Sequence, residues 1–393
     1  MTEEQKKQID DLRAQDPRPT LKQICKTVGC SDGQLNRHLY MGGNALPKAD
    51  EPETFEDVRE DREHRDQVQY LKAQVRDAAR EETAVQRIIA AIEKYSSPAP
   101  PPPLTKFKSP SKAASKETML IDFCDWHYGE IVDLERMRGL NEYNSAIAER
   151  RVAHIVATIR DIKCRLEAGR WAFEDAVIVL GGDMVSGTIH DLERNSDDTI
   201  VCTTLNCAEL LFKALQDLST VFPHLTVCGV VGNHGRLPDA KKKQYKDPER
   251  NWDYLIYQAV AWKMSEFKNV AFVFPRAHSM VVNVRDHNIF ICHGDEYRAQ
   301  FSLPYYGIER QTRGIQAIEA SRGQSIDYSL IHHWHSLAST PLAGGRRNII
   351  MPSLKGGDEF SLEKLGVCGH AGQWMCGMKE DVGLTMEWPI YCQ

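Results

Sequence analysis

The sequence predicts an α/β protein that is preceded by a small all-α module and a long helix. After Met119, five short apolar runs alternate with longer stretches of helical periodicity, and each run ends in a small polar motif. Short continuous apolar runs of this kind fit strands that are buried on both faces. Before them, short helical patterns and a charged segment without Gly or Pro lead into a Pro-rich stretch. We therefore expect the chemistry in the C-terminal part of the chain.

Length and composition restrict the class of protein. The 393 residues are 42% hydrophobic and 26% charged, which is enough for two or three packed domains. No apolar run approaches the ~18 to 20 residues of a transmembrane helix, and the first residues form no apolar signal segment. The 11 cysteines are odd in number and include no Cys-x-x-Cys pair, which favours reduced thiols. We expect a cytoplasmic protein that does not contact a membrane.

Residues 1–50 have the spacing of a helix-turn-helix module. Gly29 fits the tight turn, Ser31 can cap the second helix, and Leu35 can pack that helix back. This short stretch resembles the small helix-turn-helix modules of DNA-associated proteins. The groove-facing candidates are then Gln34, Asn36, Arg37 and His38. A small helical bundle for protein contacts is the alternative, and the nearly neutral charge of these residues favours it.

Residues 51–95 predict one long helix, and residues 96–117 predict a linker. Within 68–92, apolar residues recur at heptad spacing, which favours a coiled coil and a homo-oligomer. A single amphipathic helix that lies on the C-terminal domain is the alternative. The segment 96–117 is rich in Pro, Ser and Lys, a composition that favours an extended linker. The remaining residues, 118–393, form the predicted C-terminal domain.

The five apolar runs of this domain end in nitrogen and oxygen donors. The donors are Asp125 and His127, Asp183, Asn233, His293, and the pair His333 and His335. Because ligands in α/β folds collect at the carboxyl ends of strands, we expect these side chains to converge. Imidazole and carboxylate without thiolate suit Mn²⁺, Zn²⁺ or Fe better than Ca²⁺ or Mg²⁺ alone. Seven ligands are too many for one ion, so the sequence predicts two divalent cations, with Mn²⁺ as the first choice.

These motifs resemble the ordered signature of the calcineurin-like metallophosphoesterase superfamily. The signature is Asp-x-His, Gly-Asp, Gly-Asn-His, a lone His, and Gly-His-x-His, and it covers residues 118 to 390 here. The resemblance implies a β-sandwich flanked by helices. One position departs from the pattern, because His332 stands where the family has Gly. The Gly-Asn-His-Gly-Arg block looks similar to the phage-encoded branch, which would place the protein in a host cytoplasm.

The resemblance also implies roles for individual residues. The first metal would be held by Asp125, His127, Asp183 and His335. The second would be held by Asp183, Asn233, His293 and His333, so that Asp183 bridges the two ions. His234 would be the catalytic histidine that binds no metal and protonates the leaving oxygen or stabilises the phosphoryl charge.

Three further residues are predicted from their place in the sequence. Arg236 could offer a guanidinium fork to phosphate oxygens, and His190 could contact the substrate or be an ordinary loop histidine. Asp295 is predicted to accept a hydrogen bond from a metal-binding histidine. The lysines at 241–243 could form a basic lip that attracts a polyanion, although a solvated loop explains them equally well.

Together these observations predict a dinuclear phosphoesterase that cleaves phosphodiesters, with DNA as the substrate. The net charge of −6 argues against a chain that coats nucleic acid by bulk electrostatics, but it leaves a local contact open. Within the same enzyme class, a phosphomonoesterase or a protein phosphatase remains open, because loops set the substrate. A DNA-binding regulator with an inactive phosphatase-like domain is the alternative from a different class.

Overall fold

The computed structural model describes residues 2–14, 19–41, 98–102, 115–187, 196–238, 247–299 and 304–392. The chain divides into two compact units, Met1–Arg80 and Glu81–Gln393. Each unit is described by itself.

The first unit contains three helices, α1 (Glu3–Arg13), α2 (Leu21–Val28) and α3 (Asp32–Met41). Thr2 and Thr20 begin α1 and α2 with capping boxes, in which the threonine and the glutamine three residues later bond each other's backbone. Gly29 ends α2 at a φ of 69°, a left-handed conformation that suits glycine. Leu35 is buried with Ile24 in the small core. Ser31 Oγ accepts a 3.3 Å hydrogen bond from Gln34 N at the start of α3, so the predicted turn, cap and packing residue are all present.

The side chain of His38 does not face outward as predicted. Its Nε2 lies 3.4 Å from Asp10 Oδ1, and the side chain is only 11% exposed. The prediction of a groove-facing His38 is wrong, because the ring packs back toward α1. Gln34 is exposed, and its Oε1 accepts a 3.0 Å hydrogen bond from Ser31 N. The side chains of Asn36 and Arg37 lie outside the described part of the chain.

The second unit alternates strands and helices. The strands are β1 (Ser115–Phe123), β2 (Trp171–Leu180), β3 (His224–Gly229), β4 (Val270–Val273), β5 (Ser279–Val284), β6 (His287–Cys292), β7 (Tyr328–Ile331), β8 (Ala338–Pro341), β9 (Arg347–Ile350), β10 (Gly372–Lys379) and β11 (Gly383–Tyr391). The helices are α4 (Ser145–Ala168), α5 (Ile200–Ser219), α6 (Trp252–Lys263) and α7 (Tyr305–Ser321), with a 3-10 turn at Ala343–Gly345 and a π turn at Ser361–Leu365.

The strands form two mixed sheets. The first has six strands in the order β11-β10-β1-β2-β3-β4, and its strands β1 to β4 run parallel. The second has five strands in the order β5-β6-β7-β9-β8, with β6, β7 and β9 parallel. In both sheets the parallel strands present their carboxyl ends at one edge, which is where the polar motifs follow.

Successive side chains of a strand point to opposite faces of its sheet, so each sheet packs on both faces. One face of the first sheet, including Ile121, packs against α4, α5 and α6. Its other face, including Val179, packs against Ile291 of the second sheet. The outer face of the second sheet, including Ile331, packs against Ile308 of α7. Burial of such a side chain stabilises the fold by about 1.5–3 kcal/mol. The predicted α/β sandwich flanked by helices is confirmed.

The predicted linker is described only in part. The backbone N–H of Ala99 donates a 2.9 Å hydrogen bond to Lys263 O at the end of α6, and Ala99 packs against the core. β1 begins at Ser115, inside the predicted linker. The heptad segment 68–92 lies outside the described residues, so the coiled coil, the homo-oligomer and the fourfold domain division stay predictions.

Candidate metal centre

The predicted ligands lie at the carboxyl ends of strands from both sheets. Asp125 and His127 follow β1, Asp183 follows β2, and Asn233 lies beyond β3; from the second sheet, His293 follows β6, and His333 and His335 follow β7. Five of the ten non-glycine described residues with positive φ are among them: Asp125 (49°), His127 (47°), Asp183 (50°), His333 (73°) and His335 (53°). Such backbone costs about 1–3 kcal/mol per residue and is typical of functional sites.

One group of three potential ligands combines Asp125, His127 and His335, whose donor atoms all lie within 4.8 Å of one another. His335 Nε2 is 3.1 Å from Asp125 Oδ1 and 3.2 Å from His127 Nε2. His127 Nε2 is 3.9 Å from the same Asp125 oxygen. Asp125 and His127 are fully buried. Two ring nitrogens and one carboxylate oxygen therefore converge on one point.

A second group combines Asp183, His293 and His333 under the same 4.8 Å limit. His293 Nε2 lies 3.0 Å from Asp183 Oδ2 and 3.0 Å from Asn233 Oδ1. The rings of His293 and His333 lie edge to face, with centroids 5.3 Å apart. Both groups contain residues from both sheets.

The hydrogen bonds of His293 decide which ring nitrogen faces this centre. Its Nδ1 lies 2.9 Å from the Gly181 carbonyl, which can only accept, so Nδ1 carries a proton. The other ring nitrogen, Nε2, faces Asp183 Oδ2 and Asn233 Oδ1, and both of these oxygens are hydrogen-bond acceptors. Acceptors that converge in this way need a positive charge between them, which either a protonated ring or a divalent cation can supply. The donor set fits the predicted metals.

The electrostatics of the buried groups agree with this fit. Burial opposes the charged form of Asp183, but His293 lowers the pKa of this carboxyl well below its usual value. Burial also opposes a charged His293, but Asp183 raises the pKa of that ring to about 10. Burial lowers the pKa of His127, and burial with the neighbouring His293 lowers that of His333 to about 4. The carboxylates thus favour a positive charge, while two of the rings stay neutral, the form that binds metal.

A buried carboxylate that the sequence reasoning missed holds two ligand loops together. Asp253 Oδ2 accepts hydrogen bonds of 2.9 Å from the backbone of Asp183 and of Gly232, and its Oδ1 accepts one of 3.0 Å from Met184. A Cβ on Gly232 would lie 2.0 Å from Asp183 Oδ1. The loops after β2 and β3 therefore approach so closely that only glycine fits at that position.

His332, the departure from the family pattern, forms a buried ion pair beside the centre. Its Nε2 lies 2.9 Å from Asp122 Oδ2, and its Nδ1 lies 2.7 Å from Cys292 O. Burial opposes the charged ring, but Asp122 raises its pKa. Because both nitrogens face acceptors, the ring carries its own positive charge. The cluster of Asp122, Cys124 and His332 is thus explained without a metal.

His234 and Arg236 lie in the loop that follows β3. His234 Nδ1 is 3.1 Å from the Ser186 carbonyl, and its ring lies edge to face with His127 at 4.7 Å between centroids. Burial lowers the pKa of His234. Arg236 Nη1 lies 2.7 Å from Asp295 Oδ2. The ring contact thus places His234 beside a ligand, whereas Arg236 contacts Asp295, two residues after the ligand His293.

The role predicted for Asp295, to accept a hydrogen bond from a metal-binding histidine, stays a prediction. Asp295 pairs with Arg236, while the N–H of His293 goes to the Gly181 carbonyl and Nδ1 of His127 lies 3.0 Å from Ser186 Oγ. The acceptors that orient these two rings are therefore a backbone carbonyl and a hydroxyl. His190 and the lysines at 241–243 lie outside the described residues, so their roles stay predictions.

The sequence reasoning also missed a buried polar network behind the first group. Ser186 Oγ donates to Glu130 Oε2, and Glu130 Oε1 accepts a 2.9 Å bond from Lys355 Nζ. Lys355 also bonds Asp358 Oδ2 at 2.6 Å. Burial opposes its charge, but Glu130 and Asp358 raise the pKa of Lys355.

Comparisons with known proteins give structural likenesses alone. No protein-family model and no curated protein sequence matches the chain. Its fold is similar to a dimetal phosphatase from Danio rerio at 10% identity and a TM-score of 0.37, over 70% of this chain and 99% of that one. It is also similar to zinc-complexed Vps29 from Entamoeba histolytica, at 10% identity and a TM-score of 0.30, over 69% and 98%. In the described residues, no helix is both long and apolar enough to cross a membrane.

Proposed function

We propose that this chain is a dinuclear metal-dependent phosphoesterase that hydrolyses phosphodiester bonds, with DNA as its substrate. The observation that supports it most is the convergence of two ligand groups at one edge of the sandwich, each with a buried aspartate and two histidines. Asp125, His127 and His335 would hold one cation. Asp183, His293 and His333 would hold the other with Asn233, and Asp183 would bridge the two.

Two cations at this edge would polarise a phosphoryl group and make water nucleophilic near neutral pH. Mn²⁺ fits the mixture of imidazole and carboxylate best, with Zn²⁺ and Fe as alternatives. The left-handed backbone at five ligands holds their side chains in place before a substrate arrives. Asp253 adds to this by fixing the loops after β2 and β3 through three backbone hydrogen bonds.

His234 would exchange the proton with the leaving oxygen. Its Nδ1 is engaged by the Ser186 carbonyl, so Nε2 is the nitrogen that would carry this proton. Arg236 would contact the phosphate from the same loop. Its Nε is buried and makes no hydrogen bond to the residues that the structure describes, although its Nη1 is paired with Asp295. A guanidinium held in this way can offer its remaining N–H groups to an anion.

The test is a hydrolysis assay with Mn²⁺, Zn²⁺ or Fe²⁺ on single- and double-stranded DNA, a generic diester and a generic monoester. Asp183→Asn and His234→Ala serve as inactive controls. Turnover of DNA and the diester that both substitutions lower at least about 100-fold is the expected result. Turnover of the monoester alone would replace the diester proposal with a phosphomonoesterase. A chain that turns over no phosphate ester would contradict the enzyme proposal and favour an inactive, DNA-binding regulator.

We also propose that the N-terminal module positions the enzyme on DNA. The Gly29 turn between α2 and α3 supports this, and Arg37 is the remaining basic candidate on α3. Arg37→Glu in the full chain should weaken DNA binding about tenfold and reduce its salt dependence. Lys7→Glu, an exposed residue of α1, makes the same charge change and should leave affinity intact. Equal losses for both variants would point to bulk charge instead.

The homo-oligomer through residues 68–92 is tested by sedimentation of the full chain. A dimer or larger species that dissociates when Leu71 and Val75 are replaced by Lys is the expected result. A monomeric wild-type chain would contradict it.

A further inference from the structure

The hydrogen bonds of Ser186 have a direction that the chemistry of its neighbours fixes. Its hydroxyl donates to Glu130 Oε2, and the other oxygen of this carboxyl group accepts from Lys355 Nζ. The single hydroxyl proton is therefore used, and Ser186 Oγ must accept the proton of His127 Nδ1, which lies 3.0 Å away. His127 therefore carries a proton on Nδ1, and Nε2, which faces Asp125 and His335, is the nitrogen that can bind a metal.

Glu130 is paired with Lys355, whose Nζ donates to its Oε1. Both are buried, Glu130 at 5% and Lys355 at 2% exposure, and the bond between them is 2.9 Å long. Glu130 Oε2 lies 3.6 Å from His127 Nδ1, too far for a direct hydrogen bond. Glu130 therefore reaches the ring through the serine hydroxyl.

The same serine also orients the candidate proton donor. Its carbonyl accepts from His234 Nδ1 at 3.1 Å. The next residue, Gly187, has a φ of 62°, and a Cβ there would lie 1.9 Å from His234 O. The chain around Ser186 can approach the His234 loop this closely only because Gly187 has no side chain.

We propose that Ser186 is a positioning residue that fixes the ring nitrogens of two histidines at once. Its hydroxyl, backed by Glu130 and Lys355, sets the tautomer of the metal ligand His127 and thus the affinity of the first metal site. Its carbonyl sets the ring of His234. This inference rests on the proposed metal-dependent function.

The test is Mn²⁺ binding to the full-length protein, followed by the electron paramagnetic resonance signal of free Mn²⁺. Wild type should bind two ions. Ser186→Ala should weaken one of them about 10- to 100-fold, the usual effect of losing a group that orients a ligand.

Two further comparisons separate positioning from damage to the fold. Ser186→Thr and Ser186→Val have nearly the same shape, but only Thr keeps the hydroxyl, so Thr should bind Mn²⁺ more tightly than Val. Glu130→Gln in the Ser186→Ala background should cause no further loss of Mn²⁺ affinity, since Glu130 acts through the Ser186 hydroxyl that is already absent.

The outcomes distinguish this inference from the proposed function. A wild-type chain that binds no Mn²⁺ would overturn both. Two tightly bound ions in Ser186→Ala, equal affinity of the Thr and Val variants, or additive losses for Ser186→Ala and Glu130→Gln would overturn the role of Ser186 alone.

Discussion

Substitutions at Gly181 and His332 should have non-additive effects on the unfolding free energy. A Cβ added to Gly181 would lie 2.1 Å from His332 Cδ2 and 2.4 Å from its Nε2. The ring cannot swing away cheaply, because it is fully buried and bonds both Asp122 and Cys292 O. Gly181→Ala should therefore cost about 1–3 kcal/mol of unfolding free energy, as overpacking of a core does.

His332→Gly removes the clash but leaves the Asp122 carboxylate without its buried partner. Loss of one partner from a buried ion pair costs about 3–5 kcal/mol. In the double variant the methyl group added at Gly181 meets no imidazole ring, so the cost of Gly181→Ala should disappear. The double variant should therefore lose about as much unfolding free energy as His332→Gly alone, and the effects of the two substitutions should be non-additive.

Urea unfolding followed by tryptophan fluorescence measures these changes in the second unit, because all 7 tryptophans lie between residues 126 and 388. Gly314→Ala is the matched control, since this exposed helical glycine has no heavy atom within 4 Å of an added Cβ. It should be neutral or stabilise the protein by up to about 1 kcal/mol. Additive losses in the double variant, or a neutral Gly181→Ala, would refute the packing argument.

Three other predictions follow from the same structure. Asp183→Asn should weaken Mn²⁺ binding at both sites by more than about 100-fold, which equilibrium dialysis can measure, and unchanged binding would refute the bridge. His234→Ala should lower kcat about 10²- to 10⁴-fold with Mn²⁺ affinity unchanged, and a loss of affinity instead would make His234 a ligand. Burial opposes the charge of Asp358, but Lys355 lowers its pKa well below the usual value. Ionised Asp358 thus stabilises the fold above its ordinary pKa of about 4, and this contribution is lost as pH falls toward the depressed value. Asp358→Asn should therefore destabilise the protein at pH 7 and progressively less in acid, as urea unfolding at several pH values would show; a constant penalty would contradict this.

The strand ends were predictable because each apolar run ends directly at its donors. The runs became β1, β2, β3, β6 and β7, and the helical patterns became α4 and α5. The assignment of strands to two sheets was not predictable, since the runs before Asp183 and His293 have the same apolar character. The edge strand β8 was not predicted, because its sequence, Ala-Ser-Thr-Pro, contains no apolar run.

The polar groups behind the ligands were harder to foresee for a different reason. Ser186 and Glu130 are 56 residues apart, and Glu130 and Lys355 are 225 apart. Ser, Glu and Lys are usually exposed, so burial of such a residue shows only when the fold brings its partner to it. His332 could be recognised as unusual, but its partner Asp122 lies within a strand and carries no motif.

Each ligand group draws on both sheets, and this makes the metals part of the architecture of the sandwich. Asp125 and His127 come from the first sheet and His335 from the second, while Asp183 comes from the first and His293 and His333 from the second. A cation held by either group would act as a cross-link between two layers that otherwise adhere through apolar contacts. Cohesion of the sandwich and metal affinity are then thermodynamically linked, so a change that loosens the sheets also weakens the site, even when it touches no ligand.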